Sequence, residues 1–225
     1  TAAQRQHFAP TDHYRGSGTG SAISALNGNN HFFKTPYAMI NPNPLLRLHA
    51  LGQRIWLDNL SRTLLQEGTL KKLVAEDRIA GVTSNPTIFF KAISESPYYR
   101  EELQTLKSNP ALSAEQRYET LAVADIQAAC DLLLPLHKSS KGEDGYVSLE
   151  VSPALAHDAQ GTLAAGLRLK AAVARDNLLI KVPATAAGLT AIEELVAHGQ
   201  CHADVFAAAC AGGGAGLCAR HQPPD

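Results

Sequence analysis

The chain has 225 residues, of which 45% are hydrophobic and 18% charged, and its 20 basic and 21 acidic side chains give a formal net charge of −1. That composition is typical of a globular protein with a sizeable core, and one domain is the default expectation. The balanced charge argues against nucleic acid or an acidic membrane surface as a partner. No apolar run approaches the roughly 18 residues of a membrane helix, and no signal-peptide pattern opens the chain, so we expect a cytoplasmic protein.

The first segment, residues 1–38, is rich in Gly, Ser, Asn, Thr and Ala and shows no sustained helical or strand period. Such a segment is expected to be disordered. The only methionine of the chain, Met39, stands directly before the first stretch that looks folded. We therefore expect residues 1–38 to be a disordered or non-native extension, and a natural start at Met39 is one hypothesis.

The first folded stretch combines a short helix with a strand. Residues 44–52 carry a proline at the first helical position and a closing glycine, which predicts a helix. Residues 53–58 read as a strand that ends at the carboxylate of Asp58, and two helices follow at 61–66 and 69–77. Asp58 can serve a site at the strand end or simply cap the next helix.

A second strand is predicted at residues 79–85, where Pro86 ends it and opens a helix. Asn85 at its end can orient a substrate hydroxyl, and it can equally cap the helix that follows. Two more helices are predicted at 97–106 and 113–136, the second starting with a sequence like a capping box.

The third strand is predicted at residues 145–151, with Glu150 inside an otherwise apolar stretch, and a helix follows at 157–174. The fourth strand is a continuous apolar run, typical of a strand buried on both faces, and Lys181 interrupts it. A helix then runs over residues 185–199, where Gly199 suits a helix C-terminus. Lysine is rarely buried unless it is paired or used, but its stem can also pack while its amine reaches water.

A strand followed by a helix thus occurs four times, which predicts a parallel α/β sheet. Asp58, Asn85, Glu150 and Lys181 each lie near the C-terminal end of a different strand, the edge where barrel enzymes assemble their sites. An amine, two carboxylates and an amide at one edge suit carbonyl chemistry, in which the lysine forms an imine and the carboxylates move protons.

No metal site is predicted. The cysteines at 130, 201, 210 and 218 form no close pair of the kind that zinc or redox chemistry needs, so we expect free thiols. His198 and His202 are four residues apart, but Gly199 between them argues against one continuous helix face.

Two long motifs resemble those of the transaldolase family. They are Gly-Val-Thr-Ser-Asn-Pro-Thr-Ile-Phe at residues 81–89 and Leu-Leu-Ile-Lys-Val-Pro-Ala-Thr at 178–185. Residues 55–58 and 147–151 extend the resemblance, which covers about residues 41–199. It implies a (β/α)8 barrel that transfers a dihydroxyacetone unit between sugar phosphates in the non-oxidative pentose phosphate pathway, without a metal or organic cofactor. Sugar phosphates are the implied partners, and no particular oligomeric state is predicted.

The resemblance also implies a role for each matching residue. Lys181 would form the imine with the donor ketose, and Asp58 would act as general acid and base where the C–C bond breaks. Glu150 would serve a catalytic water during imine formation and hydrolysis. Asn85 would hydrogen-bond the bound dihydroxyacetone, with Thr83 as a weaker neighbour.

The resemblance stops after Gly199, and residues 200–225 lack the expected fifth strand and phosphate-binding groups. One permitted back-translation of residues 200–209, read one nucleotide on, gives Ser-Val-Thr-Leu-Met-Phe-Ser-Leu-Pro, which is the missing strand. We therefore expect a frameshift near Gly199, with residues 39–199 forming only about four βα units of the barrel. Four strands with an irregular tail leave open sheet edges, so this polypeptide is expected to be aggregation-prone and nearly inactive.

Three functions remain open at this point. The first is a transaldolase. The second is another lysine-dependent aldolase on the same barrel, which would cleave its substrate without needing an acceptor. The third is a non-catalytic fragment or binding module, in which Lys181 would not react with any ketose phosphate.

Overall fold

A computed structural model describes residues 43–198 and, for its backbone only, one further strand at Ala203–Phe206. The expectations for residues 1–38, for Met39, and for Cys201, Cys210 and Cys218 lie outside these described residues. So does most of the predicted irregular tail at 200–225.

The described part of the chain alternates strands and helices. The strands are β1 (Trp56–Leu57), β2 (Gly81–Thr83), β3 (Tyr146–Glu150), β4 (Leu178–Pro183) and β5 (Ala203–Phe206). The helices are α1 (Pro44–Ala50), α2 (Arg62–Gln66), α3 (Thr69–Glu76), α4 (Pro86–Glu95), α5 (Arg100–Lys107), α6 (Ala114–Ser139), α7 (Ala159–Val173) and α8 (Ala186–Ala197). Short 3₁₀ helices at Pro97–Tyr99 and Pro153–Leu155 complete the described elements.

Polar side chains start the helices where the sequence predicts them to begin. Each of these side chains accepts a hydrogen bond from a backbone N–H in the first turn of its helix, which satisfies a donor that has no partner inside the helix. The capping residues are Asn43, Ser61, Asn85, Ser113, Asp158 and Thr185. At Ser113 the predicted capping box with Gln116 is confirmed, since both of its hydrogen bonds are present.

The strands form one parallel sheet in the order β1-β2-β3-β4-β5, so chain neighbours are also neighbours in space. Consecutive strands of an α/β barrel are arranged in this way, and the predicted fold class is confirmed in that respect. The first two strands are shorter than predicted. At their junction Gly81 is required, because a Cβ atom there would lie 2.5 Å from the indole ring of Trp56.

The prediction of an irregular tail after four strands is wrong at one segment. Ala203–Phe206 pairs with β4 in parallel, with Lys181 opposite Asp204. Backbone N–H and C=O groups along the open edge of β4 can bond to any segment that adopts an extended conformation, because main-chain pairing needs no particular side chains. The described sheet therefore has five strands.

The two faces of the sheet differ in character. Val82, Val147, Leu149, Ile180 and Val182 belong to the hydrophobic core with residues of the helices, chiefly of α6 and α7. The residues between them in β2, β3 and β4 point to the opposite face, because successive side chains of a strand alternate. Polar residues occupy that second face towards the C-terminal strand ends. None of the described helices is long and apolar enough to cross a membrane.

Candidate active site

The Lys181 side chain is buried in the sheet face, with 2% of the residue exposed. Lys181 is the fourth residue of β4 and lies opposite Glu150 of β3 in the strand register. Its Nζ atom is 3.2 Å from Oε2 of Glu150. The alternative of a lysine whose amine reaches bulk water is therefore wrong for this residue.

Two further acceptors hold the amine. Lys181 Nζ donates to the backbone oxygen of Ser84 at 2.7 Å and to Oγ1 of Thr83 at 3.2 Å. Thr83 Oγ1 also accepts from the hydroxyl of Ser148 at 2.9 Å. A lysine amine donates hydrogen bonds, and the carboxylate, the carbonyl and the hydroxyl are among its acceptors. The amine is thus held by hydrogen bonds at a position that excludes most water.

Glu150, the residue that contacts the amine, also lines a cavity. Glu150 is the last residue of β3, and its side chain is 13% exposed. It lines a cavity of about 340 Å³ between α6, α7 and the end of β3, which we call the α6–α7 cavity. Tyr118 of α6 lines the same cavity, and burial, with the carboxylates of Glu150 and Glu119, raises the pKa of Tyr118 to about 12.

Asp58 and Asn85 stand at the ends of the neighbouring strands. Asp58 is exposed and lies one residue beyond β1, and the chain after it is anchored by the fully buried Leu60. Asn85 is half-buried, and its Oδ1 accepts from the backbone N–H of Thr87 at 2.9 Å. Asn85 therefore caps α4, as the simpler alternative predicts. Its side-chain NH₂ group can still donate to a ligand.

Of the predicted site residues, the structure brings Thr83, Glu150 and Lys181 into one group of direct contacts. Asp58 and Asn85 lie just beyond the C-terminal ends of the first two strands, at the same edge of the sheet. Sequence reasoning missed Ser148, although a serine two residues before Glu150 in an apolar strand must point to the same face. It also missed Tyr118, for which α6 carries no local signal.

The grouping permits proton exchange between an amine and a carboxylate at one buried position. Transfer of one proton from Lys181 to Glu150 leaves a neutral amine, which is the nucleophile that attacks a carbonyl. Cys130 is no competing nucleophile, because burial raises the pKa of its thiol to about 12. In the described part of the chain, no group of three or more His, Cys, Asp and Glu side chains is placed to hold a metal ion.

Comparison with known proteins adds a family match. The family model for transaldolase/fructose-6-phosphate aldolase matches residues 55–202. A transaldolase of Neisseria gonorrhoeae is 56% identical over 150 residues, which cover 67% of this chain and 42% of the relative. A transaldolase of Thiobacillus denitrificans is 54% identical over 149 residues, covering 66% and 41%. A protein named transaldolase 2 of Nostoc sp. is 45% identical over 157 residues, covering 70% and 41%. The chain spans about two fifths of the length of these curated relatives.

Proposed function

Because this chain belongs to the transaldolase/fructose-6-phosphate aldolase family, we propose that it transfers a dihydroxyacetone unit between sugar phosphates through a Schiff base on Lys181. The donor is a ketose phosphate such as sedoheptulose 7-phosphate or fructose 6-phosphate, and the acceptor is an aldose phosphate. The observation that carries the proposal is the buried Lys181 amine 3.2 Å from the Glu150 carboxylate. The reaction belongs to the cytoplasmic, non-oxidative pentose phosphate pathway and needs no metal or organic cofactor.

Imine formation uses the contacts between Lys181 and Glu150. Glu150 accepts a proton from the Lys181 ammonium, and the neutral amine attacks the ketose carbonyl to form a carbinolamine. The hydroxyl group of Thr83 and the backbone oxygen of Ser84 keep the nitrogen in place during this exchange. Because these partners are set by strand pairing, the geometry exists before the substrate binds.

Cleavage and transfer use the two flanking strand ends. Asp58 removes the proton from the hydroxyl group next to the breaking C–C bond, and the Lys181 iminium takes up the electron pair as an enamine. The amide of Asn85 donates a hydrogen bond to a hydroxyl of the bound three-carbon unit. The enamine then attacks the aldehyde of the acceptor, with Asp58 returning the proton.

The experiment that tests this proposal is borohydride reduction of the chain mixed with fructose 6-phosphate, followed by mass mapping of the modified lysine. We expect a reduced three-carbon adduct on Lys181, and none after Lys181→Arg, because arginine is not a nucleophile. Lys170 provides a matched control. Lys170 is half-buried, burial lowers the pKa of its amine, and it donates to backbone oxygens of Arg175 and Leu178 at 3.0 Å. An adduct on Lys170 in place of Lys181 would contradict the proposal.

A second candidate is an aldolase that releases the three-carbon unit without an acceptor. This candidate is supported by the description of the matching family, which names fructose-6-phosphate aldolase together with transaldolase. Product analysis with and without an aldose phosphate separates the two, since only the transferase depends on the acceptor. If no ketose phosphate leaves an adduct, the chain is the non-catalytic fragment that remains the third alternative.

A further inference from the structure

Ser148 lies in the middle of β3, on the same face of the sheet as Glu150. The residue is completely buried, with 0% of its surface exposed. A buried hydroxyl group needs a hydrogen-bond partner, because burying it without one costs free energy. The partner of Ser148 is Thr83, which itself contacts the Lys181 amine. The serine is therefore connected to the candidate site.

The side chain of Ser148 holds one of the acceptors of the amine. Its hydroxyl donates to Oγ1 of Thr83 at 2.9 Å, and the two residues are opposite each other in the register of β2 and β3. Thr83 Oγ1 also accepts from Lys181 Nζ at 3.2 Å, and it donates a long hydrogen bond to the backbone oxygen of Ser84 at 3.5 Å. A hydroxyl group has one proton and two lone pairs, so these three bonds use its whole capacity. Thr83 therefore offers the amine an acceptor, and its own proton points elsewhere.

The backbone of Ser148 holds a second acceptor of the amine. Its carbonyl oxygen accepts from the backbone N–H of Ser84 at 3.2 Å. The carbonyl oxygen of Ser84 in turn accepts from Lys181 Nζ at 2.7 Å. Ser148 thus contacts both residues of the β2 segment whose oxygens bind the amine. Only the contact with Thr83 requires a serine, because every residue supplies a backbone carbonyl.

The order of the strands explains why the amine needs these acceptors. β3 lies between β4, which carries Lys181, and β2, at whose end both acceptors lie. Neighbouring strands are about 4.8 Å apart, so the amine reaches roughly 9.5 Å across the face of β3. The lysine side chain is a flexible four-carbon stem. Without fixed acceptors at its far end, this stem would place Nζ at more than one position.

We propose that Ser148 is a positioning residue for the Schiff-base lysine, and that it acts by holding Thr83 Oγ1 as an acceptor for the Lys181 amine. The inference rests on the proposed Schiff-base function. A neutral amine has two protons and one lone pair. When Ser84 and Thr83 accept the two protons, the lone pair points away from β2 and is free to attack the ketose carbonyl. Loss of the Ser148 hydroxyl lets Thr83 rotate, or donate its proton to that lone pair, and either change makes the amine a poorer nucleophile.

The test measures the rate of borohydride-trapped adduct formation over a range of fructose 6-phosphate concentrations, in the unchanged chain and in Ser148→Ala. We expect the maximal rate to fall roughly tenfold, because a displaced amine is less often in the geometry for attack. The concentration that gives half of this rate should stay within about twofold, since Ser148 contacts the groups that hold the amine and not the substrate. Ser148→Cys keeps the size of the side chain and a weaker donor, so its rate should lie between the two.

A double-variant cycle tests whether Ser148 acts through Thr83. Thr83→Val removes the acceptor, so adding Ser148→Ala to it should slow the reaction by less than about twofold further. Thr162→Val is the matched control. It removes another hydroxyl group of a residue that is 0% exposed, and this hydroxyl donates to the backbone oxygen of Leu155 at 2.9 Å, away from the amine. Its rate of adduct formation should equal that of the unchanged chain.

Several results would overturn the inference while leaving the Schiff base intact. They are full speed in Ser148→Ala, equal slowing in Thr162→Val, or effects of Ser148→Ala and Thr83→Val that multiply in the double variant. Circular dichroism shows whether each variant is folded. If Ser148→Ala does not fold, Ser148→Cys decides, and an unchanged rate there would contradict the inference. No adduct in the unchanged chain would overturn the proposed function, and the positioning role with it.

Discussion

Lys181 is buried, and its acceptors offset the cost of removing a lysine amine from water. Thr83, Ser84 and Glu150 each contribute one, all within 3.2 Å of Nζ. Only one of the three, the carboxylate of Glu150, can readily take the proton away. The same contact that holds the amine in place therefore also offers a base for its proton.

Glu150→Gln tests this contact. Glutamine keeps the size of the side chain but cannot take a proton, so adduct formation with fructose 6-phosphate should slow roughly a hundredfold. The measurement is the rate of borohydride trapping followed by intact mass. Glu143→Gln removes an exposed carboxylate from the loop before β3 and should leave the rate unchanged. A Glu150→Gln rate close to that of Glu143→Gln would show that the carboxylate takes no part in proton transfer.

The raised pKa of Tyr118 makes the stability of the folded chain depend on pH in the alkaline range. Its pKa is raised from 10.0 to about 12 in the folded chain, so the unfolded chain loses this proton first. The stabilisation that comes from the raised pKa of Tyr118 is fully present below pH 10. It is lost as the pH rises through the pKa of Tyr118 in the folded chain.

The free energy of unfolding decreases between about pH 9 and about pH 11. In Tyr118→Phe this decrease should be smaller by about 1 kcal/mol. Urea unfolding at the two pH values measures this difference. Tyr98→Phe is the control, because that tyrosine lies largely at the surface. If both variants lost the same amount of unfolding free energy between the two pH values, burial of Tyr118 would not control its ionisation.

At the scale of elements, the junction between β4 and α8 is packed closely. Thr185 caps α8 by accepting from the backbone N–H of Gly188 at 2.9 Å. A Cβ atom at Gly188 would overlap the backbone oxygen of Pro183, the last residue of β4. The helix can approach the strand end this closely only because a glycine stands in its first turn.

Gly188→Ala should destabilise the chain by about 2 kcal/mol, because backbone atoms must shift to admit the methyl group. Chemical denaturation followed by circular dichroism gives the value. Thr190→Ala changes an exposed residue of the same helix and should be close to neutral. Unchanged stability in Gly188→Ala would mean that the strand and the helix are packed less closely than the structure shows.

At the scale of the whole molecule, one buried ionic network ties several helices together. Asp125 of α6, 3% exposed, accepts from Nε of Arg62 at 2.8 Å and from the hydroxyl of Tyr99 at 2.6 Å. The Tyr99 hydroxyl also accepts from the backbone N–H of Arg62 at 2.7 Å, and Glu102 pairs with the guanidinium. Arg62 follows Asp58 by four residues, so the network also holds the segment that carries this carboxylate.

Asp125→Asn should cost about 2 to 4 kcal/mol, because the guanidinium of Arg62 loses its buried counter-charge. Glu102→Gln removes the more exposed partner of the same arginine and should cost less than about 1 kcal/mol. The two free energies of unfolding, measured by denaturant titration, check the ranking. Equal costs would show that the depth of burial does not set the strength of this network.

The sheet has β1 and β5 as its edges within the described residues. Edge strands of a parallel sheet present unpaired N–H and C=O groups to neighbouring chains. Self-association of this polypeptide in isolation therefore remains our prediction, and size-exclusion chromatography with light scattering measures it. A single monomeric peak would contradict it.

Much of the local structure can be predicted from the sequence. Capping side chains such as Ser113 and Thr185 mark helix starts, because their hydrogen bonds involve residues two or three positions away. The two-residue period places Ser148 and Glu150 on one face of β3. The strand-then-helix order predicts the parallel sheet, and long motifs around Asn85 and Lys181 predict the family.

The tertiary structure alone decides the contacts between distant segments. Lys181 and Thr83 are 98 residues apart in the chain, and only the strand register places their side chains within hydrogen-bonding distance. The pairing of Ala203–Phe206 with β4 and the cavity lined by residues of α6, α7 and the end of β3 arise in the same way. A sequence pattern sets which face of an element a side chain occupies. The distance between faces of different elements depends on how helices and strands pack, and no single segment encodes that packing.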